Sequence, residues 1–391
     1  MSSSFLFSSN SLSFSINGHK GVLSFFVPLG SGPLDDDEYG CQYLTSGYFN
    51  AENDYYLITL HRGDGTHTSL GWLFPLNLLK EESDFYKGMD QNLLAYLHIG
   101  AHKLIERSIS SNQWVPSSGT LDDCRVSDDL FMLVFRRSIL PDSRIMELCP
   151  YLFMLGFAFE EKSLQTSTER FSFNSYRQQK VSEVRLSNSH RFHIKLMSPI
   201  FVGSTLVNAL FVGNLSKLKN PILRYFALYQ IIEQLMSVLY RNKYYEYVEK
   251  YGNNRRHDLM EQFGELASEK KLIRQIFIIG TTNPIYIDFI DAAKTLLDNI
   301  GEAGFKSNPS FEDYMYKIRN LIVHSMPMLN GQMKVMQRVS DIFEYIIVDL
   351  MCRTTVVEQD NKLLFVADKN KSGKTNRRLF RQMLKDVGIG I

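Results

Sequence analysis

The chain has no surplus of either charge. Lysine and arginine total 43 against 42 aspartate and glutamate, a formal net charge of +1. That excludes a chain-wide nucleic-acid signature, so any RNA contact must rest on local charge. Cysteine is scarce: Cys41, Cys124, Cys149 and Cys352 lie far apart with no metal-ligand spacing. This excludes a disulfide scaffold and a cysteine-based metal site, and the four read as reduced thiols. No apolar run reaches membrane-spanning length. The opening Met1-Ser2-Ser3-Ser4-Phe5-Leu6-Phe7 has no basic n-region and no sustained apolar core, so no signal peptide is expected. Phosphate loop, catalytic triad and zinc motif are all missing. Ser372-Gly373-Lys374-Thr375 lacks the upstream glycine that a phosphate loop needs. The expectation is a cytoplasmic protein with no cofactor, no metal and no membrane partner.

What is there is ordinary globular material. Hydrophobic residues make up 44% and charged residues 22% of 391, enough for two domains. The pattern predicts an α+β fold: a mixed β-rich domain over 1–215, an all-α helical bundle over 216–356, and a basic tail over 357–391. In the first part, Ser11–Ile16, Gly21–Val27, Tyr55–Leu60 and Leu130–Phe135 read as strands. Phe171 and Phe173, then Phe192, Ile194 and Leu196 with Phe201, suggest a late set. Ser83–Ile109 reads as a helix with a broad apolar face, on which His102 is a core or boundary residue. His61 and His67 flank a Gly-Asp-Gly turn; a hairpin with surface histidines fits better than a metal site. The acidic run Asp35-Asp36-Asp37-Glu38 reads as a solvated loop, with a cation site or a phosphate mimic as the functional alternative. By elimination this part is a recognition or regulatory domain.

After Pro221 the pattern turns helical. Ile222–Tyr251, Leu259–Ile279, a helix from Pro284 through Ile300, Ser310–Met326 and Met333–Met351 carry apolar residues at helical spacing. Short connections between them imply antiparallel neighbours and a bundle. Its tyrosine- and methionine-rich stripe reads as core. Ser310 followed by Asp313 has the form of a capping box, and Pro327 ends that helix.

On this helix lies Arg319-Asn320-Leu321-Ile322-Val323-His324. Arginine grips phosphate through a planar fork, and histidine exchanges a proton near neutral pH. A phosphate clamp beside a proton carrier is a minimal kit for cutting RNA without a metal. The same Arg/His spacing recurs as Arg62…His67 and Arg185…His190, both in turn or loop sequence. Only the third copy lies on a helix. Five residues turn a helix by roughly 140°, so Arg319 and His324 do not share one stripe.

A bundle whose late helix carries Arg-Asn-Leu-Ile-Val-His, then proline, then one last apolar helix, resembles the HEPN superfamily of ribonucleases. Tyr225-Phe226-Ala227-Leu228-Tyr229-Gln230-Ile231-Ile232-Glu233 also resembles the first helix of HEPN domains in ApeA-like abortive-infection and phage-defence proteins. The resemblance implies a metal-independent endoribonuclease, a toxin-like anti-phage effector, working as a homodimer with two Arg/His pairs facing one cleft. Carried over, Arg319 would hold the scissile phosphate, His324 would relay a proton, and Asn320 would bind phosphate or orient a partner side chain. The substrate would be RNA, tRNA included, and a phage-derived trigger would act on the first domain. The alternative is a non-catalytic HEPN scaffold that binds RNA or a partner protein.

Glu233 either pairs with Arg319 or faces water. Arg255 and Arg256 start the second helix, where they contact phosphate or simply lie at the surface. Leu363–Val366 reads as a strand or docking segment. In the tail, Lys374, Arg377, Arg378 and Arg381 surround apolar residues, the pattern of an RNA-contacting amphipathic helix or of a solvated basic one.

Overall fold

The structure, a computed structural model, describes residues 3–8, 11–16, 19–24, 38–46, 55–61, 66–80, 91–110, 118–120, 130–159, 190–251, 260, 268–277, 284–302, 305–353, 355–359 and 362–366. Arg255, Arg256, Lys374, Arg377, Arg378 and Arg381 lie outside them, as do Asp35–Asp37 and the expected strand at Phe171 and Phe173. The chain is mixed α+β and divides into two compact units, the first within residues 1–195 and the second within 196–391.

The first unit holds two sheets. Strands β1 (Ser3–Ser8), β2 (Ser11–Ile16), β3 (His19–Ser24) and β7 (Ser118–Thr120) form one, in the order β1-β2-β3-β7. The larger sheet contains β4 (Tyr39–Ser46), β5 (Tyr56–His61), β6 (His67–Pro75), β8 (Leu130–Arg136), β9 (Phe157–Phe159) and β10 (Arg191–Ile194), in the order β10-β5-β6-β8-β4-β9. Its neighbours run antiparallel except β10, which pairs parallel with β5. Strand β8, Leu-Phe-Met-Leu-Val-Phe-Arg, is buried at every position but the last. A continuous apolar run of this kind suits a strand covered on both faces. Helix α1 (Gln91–Ser110) covers one face, with Leu93, Tyr96, Leu97 and Leu104 joining Trp72, Phe74, Met132 and Val134 in one core. His98 and His102 are buried on α1. Gly71 fits where β6 passes β8: a Cβ there would lie 2.0 Å from the Val134 carbonyl oxygen. His61 and His67 oppose each other across β5 and β6, rings 5.1 Å apart, and His193 of β10 brings its ring 4.5 Å from His67. Among the described residues the late strand is confined to Arg191–Ile194. Phe201, expected to be extended, ends a single 3₁₀ turn, Pro199–Phe201, started by a proline that has no N–H for a strand ladder.

The described residues of the second unit are mainly helical, with a hairpin formed by β11 (Thr355–Gln359) and β12 (Lys362–Val366). The short helices α2 (Cys149–Met154) and α3 (Thr205–Asn208) belong to the first and second units respectively. The bundle comprises α4 (Pro221–Tyr251), α5 (Glu269–Phe277), α6 (Pro284–Asn299), α7 (Phe311–His324) and α8 (Met333–Arg353). Prolines open α4 and α6 where a missing N–H costs nothing. In the core, the Tyr225 ring lies 4.3 Å from that of Phe343, and Phe311 meets Phe277, Tyr286 and Phe289 at about 5 Å. The Tyr225 hydroxyl donates to the Met315 carbonyl at 3.0 Å, tying α4 to α7. A buried ion pair, Arg224–Glu344, joins α4 to α8.

Candidate functional site

Helix α7 carries the Arg/His motif, and its start is fixed as its sequence suggests. Ser310 donates its backbone N–H to Asp313 Oδ2 at 2.9 Å, the return arm of a capping box. Asp313 also receives Lys270 from α5 and Lys306. Burial works to raise the Asp313 carboxyl, but the hydrogen bonds from Lys270, Lys306 and Ser310 outweigh it and hold the group well below the usual carboxylate range. Phe311, Tyr314, Met315, Ile318, Leu321 and Ile322 form the buried face. At the far end the Ser325 N–H closes on the Leu321 carbonyl at 2.8 Å, and Pro327 sits in the 3₁₀ turn that follows. Arg319 and His324 therefore fall in the last turns of a helix anchored at both ends.

Arg319 reaches toward α4 and α5. One Nη2 hydrogen bond goes to Glu233 Oε1 at 3.4 Å, and Nη1 donates to Asn320 Oδ1 at 3.2 Å. Glu269 Oε1 lies 3.9 Å from Arg319 Nε, which is buried and makes no hydrogen bond. The guanidinium stands 5.9 Å from the centre of the Tyr229 ring, within cation–π range. Tyr229 donates to Glu269 Oε1 at 2.9 Å, so one carboxylate holds both groups. Burial disfavours the charge on Arg319, but Glu269, Glu233 and Tyr229 overcome this and raise its pKa above the ordinary arginine value. Burial, followed by the Glu269 charge, also drives the Tyr229 phenol far upward, so it stays a neutral donor.

Of the two readings of Glu233, the pairing with Arg319 is the one observed, although the side chain keeps 41% of its exposure. Asn320 is joined to Arg319 by the hydrogen bond its Oδ1 accepts. Glu269 and Tyr229 join the Arg319 set without a sequence signal that marks them. Tyr229 was legible only as part of the apolar face of its helix, and Glu269 had no spacing signal, because it meets Arg319 across two helices distant in sequence.

Arg319 lines a groove of about 680 Å³ together with Glu233, Met236, Tyr240, Arg241, Tyr244 and Glu269, among others. His324 is exposed and is not among its lining residues. Around it Val323, Met326 and Met328 are also exposed, each a little under half. The single chain thus joins Arg319, Asn320 and Glu233 in one hydrogen-bonded set and leaves His324 outside it, on an apolar patch of the same helix end.

No known protein family, curated protein or solved structure matches the chain. No helix among the described residues is long and apolar enough to cross a membrane.

Proposed function

We propose that the chain is a metal-independent endoribonuclease of the HEPN type, completed when two copies bring their α7 ends together. The observation that supports this reading is the placement of Arg319: a cation held beside Glu233, Glu269 and Asn320 at 3.2–3.9 Å, on the lining of an open groove. A pre-positioned guanidinium is what a phosphodiester needs as charge develops on its oxygens. His324 supplies the proton relay, taking a proton from the ribose 2′-OH or giving one to the departing 5′-oxygen. The attack gives a 2′,3′-cyclic phosphate and a free 5′-hydroxyl, and DNA resists because it has no 2′-OH.

Two features support homodimerisation. Arg319 and His324 point away from a common stripe by roughly 140°, and His324 is surrounded by the exposed Val323, Met326 and Met328. A second copy seated on that patch covers the apolar side chains and sets each histidine against the partner's phosphate clamp. The role as a toxin-like effector in the cytoplasm, with RNA such as tRNA as target and a phage-derived trigger at the first unit, rests on the resemblance of α4 and α7 to ApeA-like HEPN domains.

The second reading is a non-catalytic HEPN scaffold for RNA or a partner protein. It draws on the same two carboxylates, which already satisfy much of Arg319. Expression of the chain followed by sequencing of cellular RNA ends separates the two. New ends bearing 2′,3′-cyclic phosphate, produced equally in chelator and lost in His324→Ala, support the nuclease. Equal ends from parent and His324→Ala, or ends abolished by chelator, overturn it.

A further inference from the structure

The groove lined by Arg319 carries two chemically distinct sets of side chains. One comprises Glu233, Glu269 and Arg319, engaged with one another. The other comprises Met236, Tyr240, Tyr244, Tyr245 and Leu272, with Arg241 as its charged side chain and no carboxylate among its described residues. The tyrosine stripe of α4 divides likewise. Tyr225 and Tyr229 are buried in the bundle, whereas Tyr240, Tyr244 and Tyr245 are 44%, 41% and 61% exposed. Tyr240 and Tyr244, one turn apart, set their rings nearly parallel, with centres 6.4 Å apart and planes 21° from each other. Tyr245 meets Tyr244 edge-on at 5.8 Å.

Three exposed aromatic rings in one groove, with a cation beside them, need an occupant that is flat, apolar on its faces and anionic along its edge. Parallel rings beside a guanidinium match a flat group with an anionic edge more closely than the irregular side-chain surface of a second protein chain. A nucleobase stacks on such rings regardless of its identity, while its phosphate is drawn to Arg241 and Arg319. Bases in a duplex are already stacked and are closed to this contact.

We infer that Tyr240, Tyr244 and Tyr245 form a base-stacking subsite that takes unpaired nucleotides flanking the phosphate held at Arg319. The inference rests on the reading of Arg319 as a phosphate clamp, and it assigns these tyrosines the choice of single-stranded over paired RNA. The rings are binding groups that do not touch the reacting atoms.

The test measures binding and cutting separately on the full-length chain. Binding is read by fluorescence anisotropy with a labelled single-stranded oligoribonucleotide that is 2′-O-methylated throughout, which cannot be cut by transesterification. A matched probe keeps the sugar-phosphate chain but lacks bases at its centre. Tyr240→Ala and Tyr244→Ala should each weaken the intact probe by about fivefold to a hundredfold. Tyr240→Phe and Tyr244→Phe, which keep the rings, should bind as the parent does, and circular dichroism checks that all four fold. The abasic probe should bind the parent as weakly as the intact probe binds the alanine variants. Equal binding of intact and abasic probes, alanine variants indistinguishable from the parent, or a parent that ignores the single-stranded probe would each overturn the subsite. So would alanine variants that lose self-association while keeping the probe, because a second copy would then be the occupant. Cutting of unmodified RNA is scored on its own. Stacking without cutting leaves the subsite standing and removes the nuclease; cutting together with equal binding of the intact and abasic probes does the reverse.

Discussion

Arg224 and Glu344 meet at 2.6 Å with 1% of each side chain exposed, the one on α4 and the other on α8. Arg224 Nε also donates to the same Glu344 oxygen at 2.6 Å. A pair this deep is costly to break and cheap to replace, because desolvation of two charges cancels much of their attraction. Glu344→Met or Arg224→Met alone should destabilise the second unit by about 3–5 kcal/mol, since each removes the opposite charge from a buried ion-pair partner. The double variant Arg224→Met/Glu344→Met should recover most of that loss. Chemical denaturation of the four proteins gives the coupling directly, and simple additivity of the two single losses would show that the pair is not the cause.

His324→Ala should lower RNA cleavage by about a hundredfold to ten-thousandfold, the usual contribution of a general acid or base, while leaving the melting temperature nearly unchanged, because the residue is exposed. Arg319→Lys keeps a positive charge but loses the planar fork that Glu233 and Asn320 hold. It should cut more slowly than the parent, with the loss in turnover larger than the loss in binding. Turnover equal to the parent's would mean that the guanidinium geometry has no part in the chemistry.

Burial lowers His98 to about 4. The unfolded value is about 6.5, so between these two points the unfolded chain binds a proton that the folded chain rejects. Stability of the first unit therefore rises with pH across that window. It is fully present above about 6.5 and is lost as pH falls toward the folded value. The total is on the order of 3 kcal/mol. Denaturation midpoints of parent and His98→Leu across the window check this: the parent should slope, and the variant should be flatter by that amount. Parallel slopes would show that another group governs the acid limb.

Gly71→Ala should destabilise the first unit by at least about 2 kcal/mol. The added methyl meets backbone atoms of Val134 and Phe135 within 3 Å, and backbone at the centre of a sheet cannot turn aside as a side chain can. Loss of the cooperative unfolding transition at ordinary temperature would agree; an unchanged midpoint would mean the two strands separate more easily than their pairing implies.

Much of this fold is legible in the sequence where one side chain's role is decided by its near neighbours. The capping box of Ser310 and Asp313 and the stop at Pro327 are local, and they bound α7 within a residue or two. The uninterrupted apolar run of β8 is equally local. Contacts that join distant segments are not legible. Glu269 finds Arg319 and Tyr229 only after three helices have packed, and nothing in its own neighbourhood marks it. The tyrosines of α4 show the same limit from the other side: their spacing gives a stripe, but only the packing of neighbouring helices decides that Tyr229 is buried and Tyr245 is not. At Phe201 aromatic content suggests extended chain, while Pro199 sets a 3₁₀ turn.

The parallel pairing of β10 with β5 has a consequence for how the protein is made. Arg191–Ile194 is the strand that closes the outer side of β5, and it is translated more than a hundred residues later. Until it leaves the ribosome, the open rim of β5 offers its amides and carbonyls to any extended peptide nearby. Fragments that stop short of Ile194 should precipitate where those that include it stay in solution, and a nascent chain stalled in that interval is the form most in need of a chaperone.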